Sequence, residues 1–277
     1  MGAGISGLTL AWALRERGTP VTLFEAAGRV GGQIRSWLDE GFVLEAGPNG
    51  FLDRDGAVGR LSSRLGIAEQ MRSASVAADR RALFVRGKVR FLPSKPPELV
   101  GSNIVPWWAK LRLLLEPLSR RGPAGVDESL GQFGRRHLGR HVTETLLDAV
   151  QTGIFGGDLE RLSVQAAFPR LHQMERSHRS LLLAAKAMRR TSPGAPLRLG
   201  SFEGGLETLP RALGSALGGS VRLGLRVRAL ERAGDTWQVR WDGGGERFDR
   251  VVLALPPGVS ARLLRPLDSS IASALEA

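Results

Sequence analysis

The glycine spacing at the start of this chain of 277 residues constrains its fold more than any other feature. The first ten residues read MGAGISGLTL, so Gly2, Gly4 and Gly7 form the pattern G-x-G-x-x-G. In a dinucleotide-binding turn the first glycine permits a sharp bend, the second lets the backbone approach a pyrophosphate, and the third lets the next helix pack closely. Residues 5–17 have apolar side chains at helical spacing, and Gly18 follows as a stop signal. The pattern predicts a helix whose N-terminus faces phosphate groups.

An acidic residue further along the chain sharpens this prediction. The segment PVTLFEA reads as a short apolar strand that closes with Glu25. Its separation from the glycines is close to the roughly 20 residues that place a carboxylate on the ribose hydroxyls of a dinucleotide. An arginine there would indicate a 2′-phosphate instead. The alternative interpretation of Glu25 is a surface glutamate at the end of a strand.

Composition removes several classes of function. The chain has no cysteine, which excludes disulfides and thiolate metal sites. Its formal charge is +12, but the basic residues are scattered and are mostly arginine, so we expect a solvated surface and no nucleic-acid partner. No apolar run reaches the roughly 18 residues of a membrane span, and no signal peptide is visible. A cytoplasmic location is the default expectation.

The remaining pattern predicts a helical insertion between two α/β segments. Residues 57–72 and 205–217 read as helices, and ALFVRGKVRFLP reads as a β-hairpin that turns at Arg86-Gly87. Between Pro96 and Arg190 the signal is mainly helical, in WWAKLRLLLEPL, SLGQFGRRHLGRHVTETLLDAV and SLLLAAKAMRR. Short strands return after Gly200, in SVRLG, VRAL, TWQVRW and DRVVLALP.

A second glycine-rich segment follows Glu25, in the run EAAGRVGGQIRSWLDEGFVLEAGPNGF. Together with the first motif, it resembles the flavin-containing amine oxidase superfamily, in which R-x-G-G follows the ribose acid. The resemblance implies FAD as the cofactor, with Arg29 near the phosphates, Gly31 and Gly32 beside the flavin, and residues 47–50 near the isoalloxazine ring. The cofactor-binding residues expected on these grounds are Gly2, Ala3, Gly4, Ile5, Ser6, Gly7, Glu25, Ala26, Arg29, Gly31, Gly32, Gln33, Gly47, Pro48, Asn49, Gly50 and Val227.

Later stretches narrow the resemblance. GIFGGDLERLSVQAAFPRL, the ERSHRSLLL run, SFEGGLETLPRAL and VVLALPPGVSARLL are similar to segments of the protoporphyrinogen oxidase family. The mid-chain helices argue against carotene desaturases and monoamine oxidases, which share mainly the flavin motifs. The resemblance implies a flavin enzyme of haem biosynthesis that takes hydride from protoporphyrinogen IX and is reoxidised by dioxygen. A coproporphyrinogen-oxidising relative, or another oxidoreductase of the superfamily, stays as an alternative.

The resemblance also suggests substrate-binding residues. Arg81 precedes the ALFV strand where the family has an arginine for a substrate propionate, and Arg80 is its competitor. Gly153 and Phe155 fall in the segment that lines the family's pocket, and the backbone of Val227 aligns with a contact to adenine. The alternatives are a surface role for the arginines, a turn for Gly153 and a core position for Val227. No catalytic side chain is predicted, because the cofactor carries the chemistry.

The mid-chain helices correspond to the family's membrane-associating region. Trp107 and Trp108, next to LRLLLEPL, suit a lipid interface, although a buried core or a channel rim is the alternative. Peripheral contact with the inner face of the cytoplasmic membrane and a homodimer both stay open. His137 and His141 are four positions apart, but HLGRH lacks the glutamate of a zinc-protease helix, so no metal site is predicted.

The expected fold is α/β, a Rossmann-like FAD-binding domain with an inserted, mainly helical region. The predicted parts are 1–80 for the first portion of the FAD-binding domain, 81–199 for the substrate and membrane-associating region, and 200–277 for the return to the FAD-binding domain. Compared with the family, the strand before Gly2 and a final flavin-binding motif are absent from the sequence. An incomplete, non-catalytic remnant is therefore a further expectation.

Overall fold

The computed structural model of the chain describes residues 1–79, 81–85, 87–92, 101–102, 104–119, 122, 125–178, 180–184, 187 and 198–276. They belong to two compact units, one of Met1–Ala74 with Leu197–Ala277 and one of Ser75–Pro196. The divisions predicted from the sequence lie after residues 80 and 199.

The elements of the described residues are bounded as follows. The strands are β1 (Leu23–Phe24), β2 (Ser36–Asp39), β3 (Phe42–Glu45), β4 (Met71–Ser73), β5 (Ala82–Val85), β6 (Lys88–Phe91), β7 (Gly200–Phe202), β8 (Val221–Arg222), β9 (Val227–Ala233), β10 (Thr236–Trp241) and β11 (Gly244–Phe248). The helices are α1 (Ile5–Glu16), α2 (Ala57–Arg64), α3 (Trp107–Leu114), α4 (Leu130–Leu138), α5 (Arg140–Val142), α6 (Asp148–Phe155), α7 (Val164–Ala167), α8 (Pro169–His178), α9 (Thr208–Leu217), α10 (Pro257–Leu264) and α11 (Ser269–Glu276). Short 3-10 turns are Ala68–Gln70, Val76–Asp79, Glu116–Leu118 and Gly218–Ser220, and Thr143–Leu147 is a π-helical turn between α5 and α6.

The first unit contains a small parallel layer at the start of the chain. β1 pairs in parallel with β8, and the Gly2 amide donates to the Phe24 carbonyl at 2.8 Å. On the other side, the amino group of Met1 donates to the Val252 carbonyl at 2.7 Å, and the Ala254 amide donates to the Met1 carbonyl at 2.9 Å. The first residues therefore have backbone partners on both sides, in the position where the sequence analysis expects a strand to be absent.

Helix α1 covers this layer and packs against α9. Leu8 and Ala11 are buried on its inner face, and Leu213 and Leu217 are buried on the facing side of α9. This periodicity is the one predicted from the sequence, and the helix ends where Gly18 adopts a positive φ of 75°. The core thus packs the buried face of α1 against α9 and β1.

An antiparallel meander completes the first unit. β9, β10 and β11 pair in that order, with a register shift between Arg240 and Trp241. Leu230 and Val239 are buried against Phe24 of the parallel layer and Leu263 of α10. The meander therefore packs against the strand that ends at Glu25.

The second unit is mainly helical, with the β5–β6 hairpin at its beginning. Leu130 and Phe133 of α4 are buried with Val164 and Leu181 in its largest described apolar cluster. Helix α4 begins with a capping box, in which the Ser129 hydroxyl accepts from the Gln132 amide at 3.1 Å.

Several element predictions are wrong at their boundaries. The helix predicted over 57–72 ends at Arg64, because Gly66 takes a positive φ of 71° and Met71–Ser73 then pairs with β7. The long helix predicted after residue 129 is interrupted at Gly139, where φ is 81°. Residues 251–254, predicted as a strand, do not form one. Among the described residues, their backbone hydrogen bonds are those of Val252 and Ala254 with the single residue Met1, which is too short a pairing for a strand. The strands β2, β3, β7 and β11 and the helices α10 and α11 are not predicted from the sequence.

Candidate functional site

The three glycines of the first motif meet different surroundings. A Cβ on Gly7 would lie 1.9 Å from the Gly2 carbonyl oxygen, and a Cβ on Gly2, whose φ is 93°, would lie 2.5 Å from the Ala254 carbonyl oxygen. A Cβ on Gly4 would have no described atom within 4 Å. Close packing therefore requires glycine at positions 2 and 7. At Gly4, by contrast, the open space leaves the backbone accessible to a ligand.

The N-terminus of α1 presents donors to that space. Gly4 is the N-cap residue, and no side chain of the described residues caps the helix. The first amides of a helix have no partner within it and carry a partial positive charge. The amides of the first turn, from Ile5 onwards, therefore fit the pyrophosphate of a dinucleotide.

Glu25 lies beside this turn and is held in one orientation. Its Oε2 accepts from the Ala3 amide at 2.7 Å, and its Oε1 accepts from the Ala27 amide at 2.8 Å. Each carboxylate oxygen keeps a second lone pair. The carboxylate can therefore accept from ribose hydroxyls while it ties the glycine turn to the end of β1.

The second glycine motif lies against the first. The Gly31 amide donates to the Ala3 carbonyl at 2.7 Å, and Gly31 forms a parallel bridge with Gly4. A Cβ on Gly32 would lie 3.2 Å from the Cα of Gly4. The two motifs are thus brought together at one edge of the parallel layer.

Arg29 braces this second loop in the structure. Its Nη2 donates to the Gly32 carbonyl at 2.8 Å, and its Nη1 donates to the Ile34 carbonyl at 3.1 Å. Glu207 lies 4.0 Å from the same guanidinium. The contact with phosphates expected from the resemblance stays a prediction.

A buried hydrogen-bonded network connects the second motif to a segment far along the chain. The Ser36 hydroxyl donates to Glu45 at 2.6 Å and accepts from the Glu207 amide at 3.0 Å, while the Ser36 amide donates to the Glu207 carboxylate at 2.9 Å. The Leu206 amide donates to Glu45 at 2.7 Å. Burial works against ionisation of Glu207, but hydrogen bonds from Ser36 and a neighbouring arginine hold its pKa below its ordinary value.

This network is a part of the site that the sequence reasoning missed. Its sequence signal is the G-G-L-E segment at 204–207, which also carries part of the family resemblance. A Cβ on Gly205 would lie 2.5 Å from the Ser36 side chain, so the segment must be glycine-rich to reach Ser36. The network fixes the loop that carries Gly31 and Gly32.

The remaining predicted cofactor residues lie in the same unit. A Cβ on Gly47 would lie 2.2 Å from the Gln33 carbonyl oxygen, and Gly50 lies next to the bridge between Phe51 and Gly200. Val227 is the first residue of β9 and is half-buried. Seven of the predicted cofactor residues are exposed to solvent: Ser6, Ala26, Gly32, Gln33, Gly47, Pro48 and Asn49.

The predicted substrate residues lie in the second unit. Arg81 is exposed, and its carbonyl accepts from the Leu92 amide at 2.7 Å. Gly153 lies on the exposed face of α6, and Phe155 packs edge-on against Phe168 at 5.4 Å between ring centroids. Arg80 lies outside the described residues. The roles of these residues stay predictions.

A buried charged cluster in the second unit was not foreseen. His137 and Glu116 are fully buried, with 2.8 Å between Nδ1 and Oε1, and His137 Nε2 lies 3.2 Å from Glu175. Arg136 donates to Glu175 at 2.5 Å and to Glu128 at 3.1 Å. Because an ionised carboxylate only accepts, Nδ1 carries a proton towards Glu116.

The carboxylates of this cluster are stabilised as anions. Burial opposes ionisation of Glu175, but hydrogen bonds from Arg136 and from the Gly122 amide lower its pKa to about 2. Burial likewise opposes ionisation of Glu116, and hydrogen bonds from Ser180 and two backbone amides hold its pKa below the ordinary value. His137 therefore serves a buried ion network, and Gly139 separates it from His141, which packs against Trp108.

The described residues lack two further features. They contain no helix long and apolar enough to span a membrane. No cluster of His, Asp and Glu side chains among the described residues, the Glu116–His137–Glu175 cluster included, is arranged to hold a metal ion.

Comparison with known proteins identifies relatives along the whole chain. Residues 5–277 match the family described as flavin containing amine oxidoreductase. The chain is 33% identical over 264 residues to protoporphyrinogen oxidase 2, chloroplastic/mitochondrial, of Arabidopsis thaliana. This alignment covers 87% of the chain and 51% of the Arabidopsis protein. The chain is also 30% identical over 287 residues to coproporphyrinogen III oxidase of Bacillus subtilis (strain 168). That alignment covers 96% of the chain and 61% of the Bacillus protein.

Solved structures agree with this relationship. A crystal structure from Exiguobacterium sp. 255-15, provisionally named protoporphyrinogen oxidase, aligns with a TM-score of 0.79 at 25% identity, over 98% of this chain and 62% of that chain. Cyclohexylamine oxidase from Brevibacterium oxydans IH-35A shares the fold, with a TM-score of 0.68 at 18% identity over 99% of this chain and 61% of that chain.

These comparisons confirm the predicted fold class and the resemblance to protoporphyrinogen oxidases. The chain spans about half to three fifths of the length of the curated relatives described above. FAD is the cofactor that the family match supports, and the glycine turn, its uncapped helix and Glu25 have the chemistry that its phosphates and ribose require. The chain belongs to the flavin containing amine oxidoreductase family.

Proposed function

We propose that this chain is part of a porphyrinogen oxidase that converts protoporphyrinogen IX to protoporphyrin IX in haem biosynthesis, with dioxygen as the acceptor. The observation that carries the proposal is the similarity to two differently named porphyrinogen oxidases over 87% and 96% of the chain, through both units. Both named activities remove hydrogen from a reduced tetrapyrrole.

The first unit supplies the cofactor site in this proposal. The amides at the start of α1 bind the pyrophosphate, and Glu25 holds the ribose hydroxyls. Arg29 and the Ser36–Glu207 network keep the second glycine loop against the first. When bound, FAD supplies the hydride acceptor, and the protein supplies position and surroundings.

The second unit supplies substrate recognition in this proposal. Porphyrinogens carry propionate groups, and a guanidinium can bind a carboxylate with two parallel hydrogen bonds. Arg81 is exposed at the start of the β5–β6 hairpin and therefore has room for such a contact. Coproporphyrinogen III, with four propionates in place of two, is the alternative substrate favoured by the Bacillus subtilis relative.

We also propose that the second unit contacts a membrane surface. Trp107, Trp108, Leu111, Leu114, Leu115 and Leu118 expose large apolar side chains along α3 and the turn after it. We call this set the Trp107 stripe. Trp107 is 75% exposed and Leu118 is 76% exposed, so the stripe is not buried by the described residues. Tryptophan with leucine on one helix face suits the boundary between headgroups and acyl chains.

The oxidase proposal is tested by porphyrin fluorescence. Purified chain supplied with FAD is mixed with protoporphyrinogen IX or coproporphyrinogen III, and the growth of porphyrin fluorescence is compared with autoxidation. We expect FAD-dependent growth, and Arg81→Ala should raise KM roughly tenfold, which corresponds to about 1.4 kcal/mol. Arg170→Ala, at another exposed arginine of the same unit, is the control. A chain that binds FAD but never exceeds autoxidation would contradict the proposed activity.

A further inference from the structure

A cavity of about 730 Å³ lies within the second unit, beside the Trp107 stripe. Its volume is in the range of small-ligand sites. The side chains that decide its chemistry are Trp108, Arg112, Arg135, Arg140, His141 and Glu144. No step of the proposed oxidation uses them.

The interruption of the helix at Gly139 shapes this cavity. With φ at 81°, Gly139 ends α4 and turns the chain into α5, so His141 faces α3 and its ring lies 5.2 Å from that of Trp108. A Cβ on Gly139 would lie 2.9 Å from Cγ of Arg112. The Arg112 side chain therefore lies along the break, at the wall of the cavity.

The charges of the cavity favour an anion. Arg135 is paired with Glu160 at 2.7 and 2.6 Å, and Arg140 is paired with Glu144 at 2.8 Å. Arg112, by contrast, has one recorded hydrogen bond to described residues, from Nη2 to the Arg136 carbonyl at 2.6 Å. Its Nε and Nη1 remain for a ligand.

A buried polar atom points to the same conclusion. His141 Nε2 is shielded from solvent and has no hydrogen-bond partner among the described residues. Such atoms are uncommon in folded proteins, and a bound ligand is one explanation for them. His141 and Arg112 line the same cavity, and a small movement of the imidazole ring would let Nε2 accept from a hydroxyl group of an anion held by Arg112.

We propose that this cavity binds the phosphodiester headgroup of an anionic lipid, of which phosphatidylglycerol is the test case. Three features of the second unit meet at this place: a guanidinium with free donors, a shielded imidazole nitrogen and the exposed Trp107 stripe, which includes Trp108 of the cavity wall. A lipid is favoured over free phosphate because its acyl chains continue onto the stripe. The inference rests on the proposed membrane contact and gives it lipid selectivity.

The test is co-sedimentation of the full 277-residue chain with vesicles of phosphatidylcholine, with and without phosphatidylglycerol. We expect phosphatidylglycerol to raise the partition coefficient roughly fivefold, the factor for about 1 kcal/mol per basic residue near an anionic surface. Arg112→Gln should remove most of this gain and leave binding to pure phosphatidylcholine unchanged. Arg170→Gln makes the same charge change at an exposed site outside the cavity and should keep the gain.

Further variants separate the two proposals. Arg112→Lys keeps the positive charge and should restore part of the gain in binding. This result would show that Arg112→Gln loses lipid binding through the lost charge and not through misfolding. Trp107→Ser with Leu118→Ser should weaken binding to both kinds of vesicle, because neither residue lines the cavity. Equal losses in Arg112→Gln and Arg170→Gln would overturn the headgroup site but not the membrane contact. Displacement by inorganic phosphate at the lipid's own concentration would also overturn the lipid as occupant, and no binding of the unmodified chain to any vesicle would overturn both.

Discussion

Gly4 and Gly7 are three positions apart, yet an added methyl group would have opposite surroundings at the two positions. At Gly7 it would lie 1.9 Å from a backbone oxygen, whereas at Gly4 it would meet no described atom within 4 Å. Gly7→Ala should therefore lower the free energy of unfolding by about 1–3 kcal/mol, the usual cost of overpacking. Gly4→Ala should leave stability nearly unchanged and weaken FAD binding about tenfold, or about 1.4 kcal/mol.

The measurements for this pair are urea unfolding and titration of FAD fluorescence. Gly258→Ala, in α10, is the control, because a Cβ there also meets no described atom within 4 Å and lies outside the predicted cofactor residues. Unchanged FAD affinity in a folded Gly4→Ala variant would contradict binding of the FAD pyrophosphate at this turn.

Glu175 gives the chain a specific acid sensitivity. Its pKa is lowered from 4.5 to about 2 by hydrogen bonds from Arg136 and the Gly122 amide, which outweigh burial. A carboxylate with a lowered folded-state pKa stabilises the protein above its unfolded pKa and loses this contribution as pH falls. The free energy of unfolding should therefore drop between about pH 4.5 and pH 2.

Glu175→Gln tests this assignment. The variant should be less stable at neutral pH, because Arg136 loses a buried partner, and its stability should fall less steeply over the acid range. Urea unfolding at a series of pH values measures both effects. Parallel curves for the variant and the unmodified chain would show that another carboxylate carries the acid transition.

At the residue scale, the glycine turn and the position of Glu25 beside it could be predicted, because both follow from fixed local spacing; their contacts with the cofactor stay predictions. The Glu116–His137–Glu175 cluster could not be predicted in this way, since its members come from three separate segments and none has a spacing signal. Arg29 shows a second limit. The sequence places this arginine in the second glycine motif, but its hydrogen bonds to the carbonyls of Val30, Gly32 and Ile34 depend on the folded path of the loop.

Elements far apart in sequence are joined through Ser36 of β2. Its hydroxyl lies between Glu45 and the Glu207 amide, so Ser36→Ala would leave buried polar groups without a partner. A loss of about 1–3 kcal/mol in the free energy of unfolding is expected, together with weaker FAD binding through the displaced second loop. Ser63→Ala is the control, because the Ser63 hydroxyl is exposed and donates only to the Gly59 carbonyl of its own helix among the described residues. Equal stability of Ser36→Ala and Ser63→Ala would contradict the role of the network.

Element types were predicted where the periodicity was strong, as in α1, α9 and the β5–β6 hairpin. The boundaries failed where a glycine with positive φ decides the path, as at Gly66 and Gly139. The pairing of Met71–Ser73 with Gly200–Phe202 was also missed, because contacts across such a separation leave no local pattern.

For the whole molecule, the sequence expectation and the structure differ most at the first residues. The Gly2 amide bonds to β1 on one side and Met1 bonds to residues 252 and 254 on the other, so the glycine turn is anchored in a layer. We expect this anchored turn to bind FAD.

The most direct measurement is the visible absorbance spectrum of the purified, desalted chain after expression with added FAD. A flavin band near one FAD per chain is expected. A colourless product that circular dichroism shows to be folded, and that takes up no FAD from solution, would contradict it.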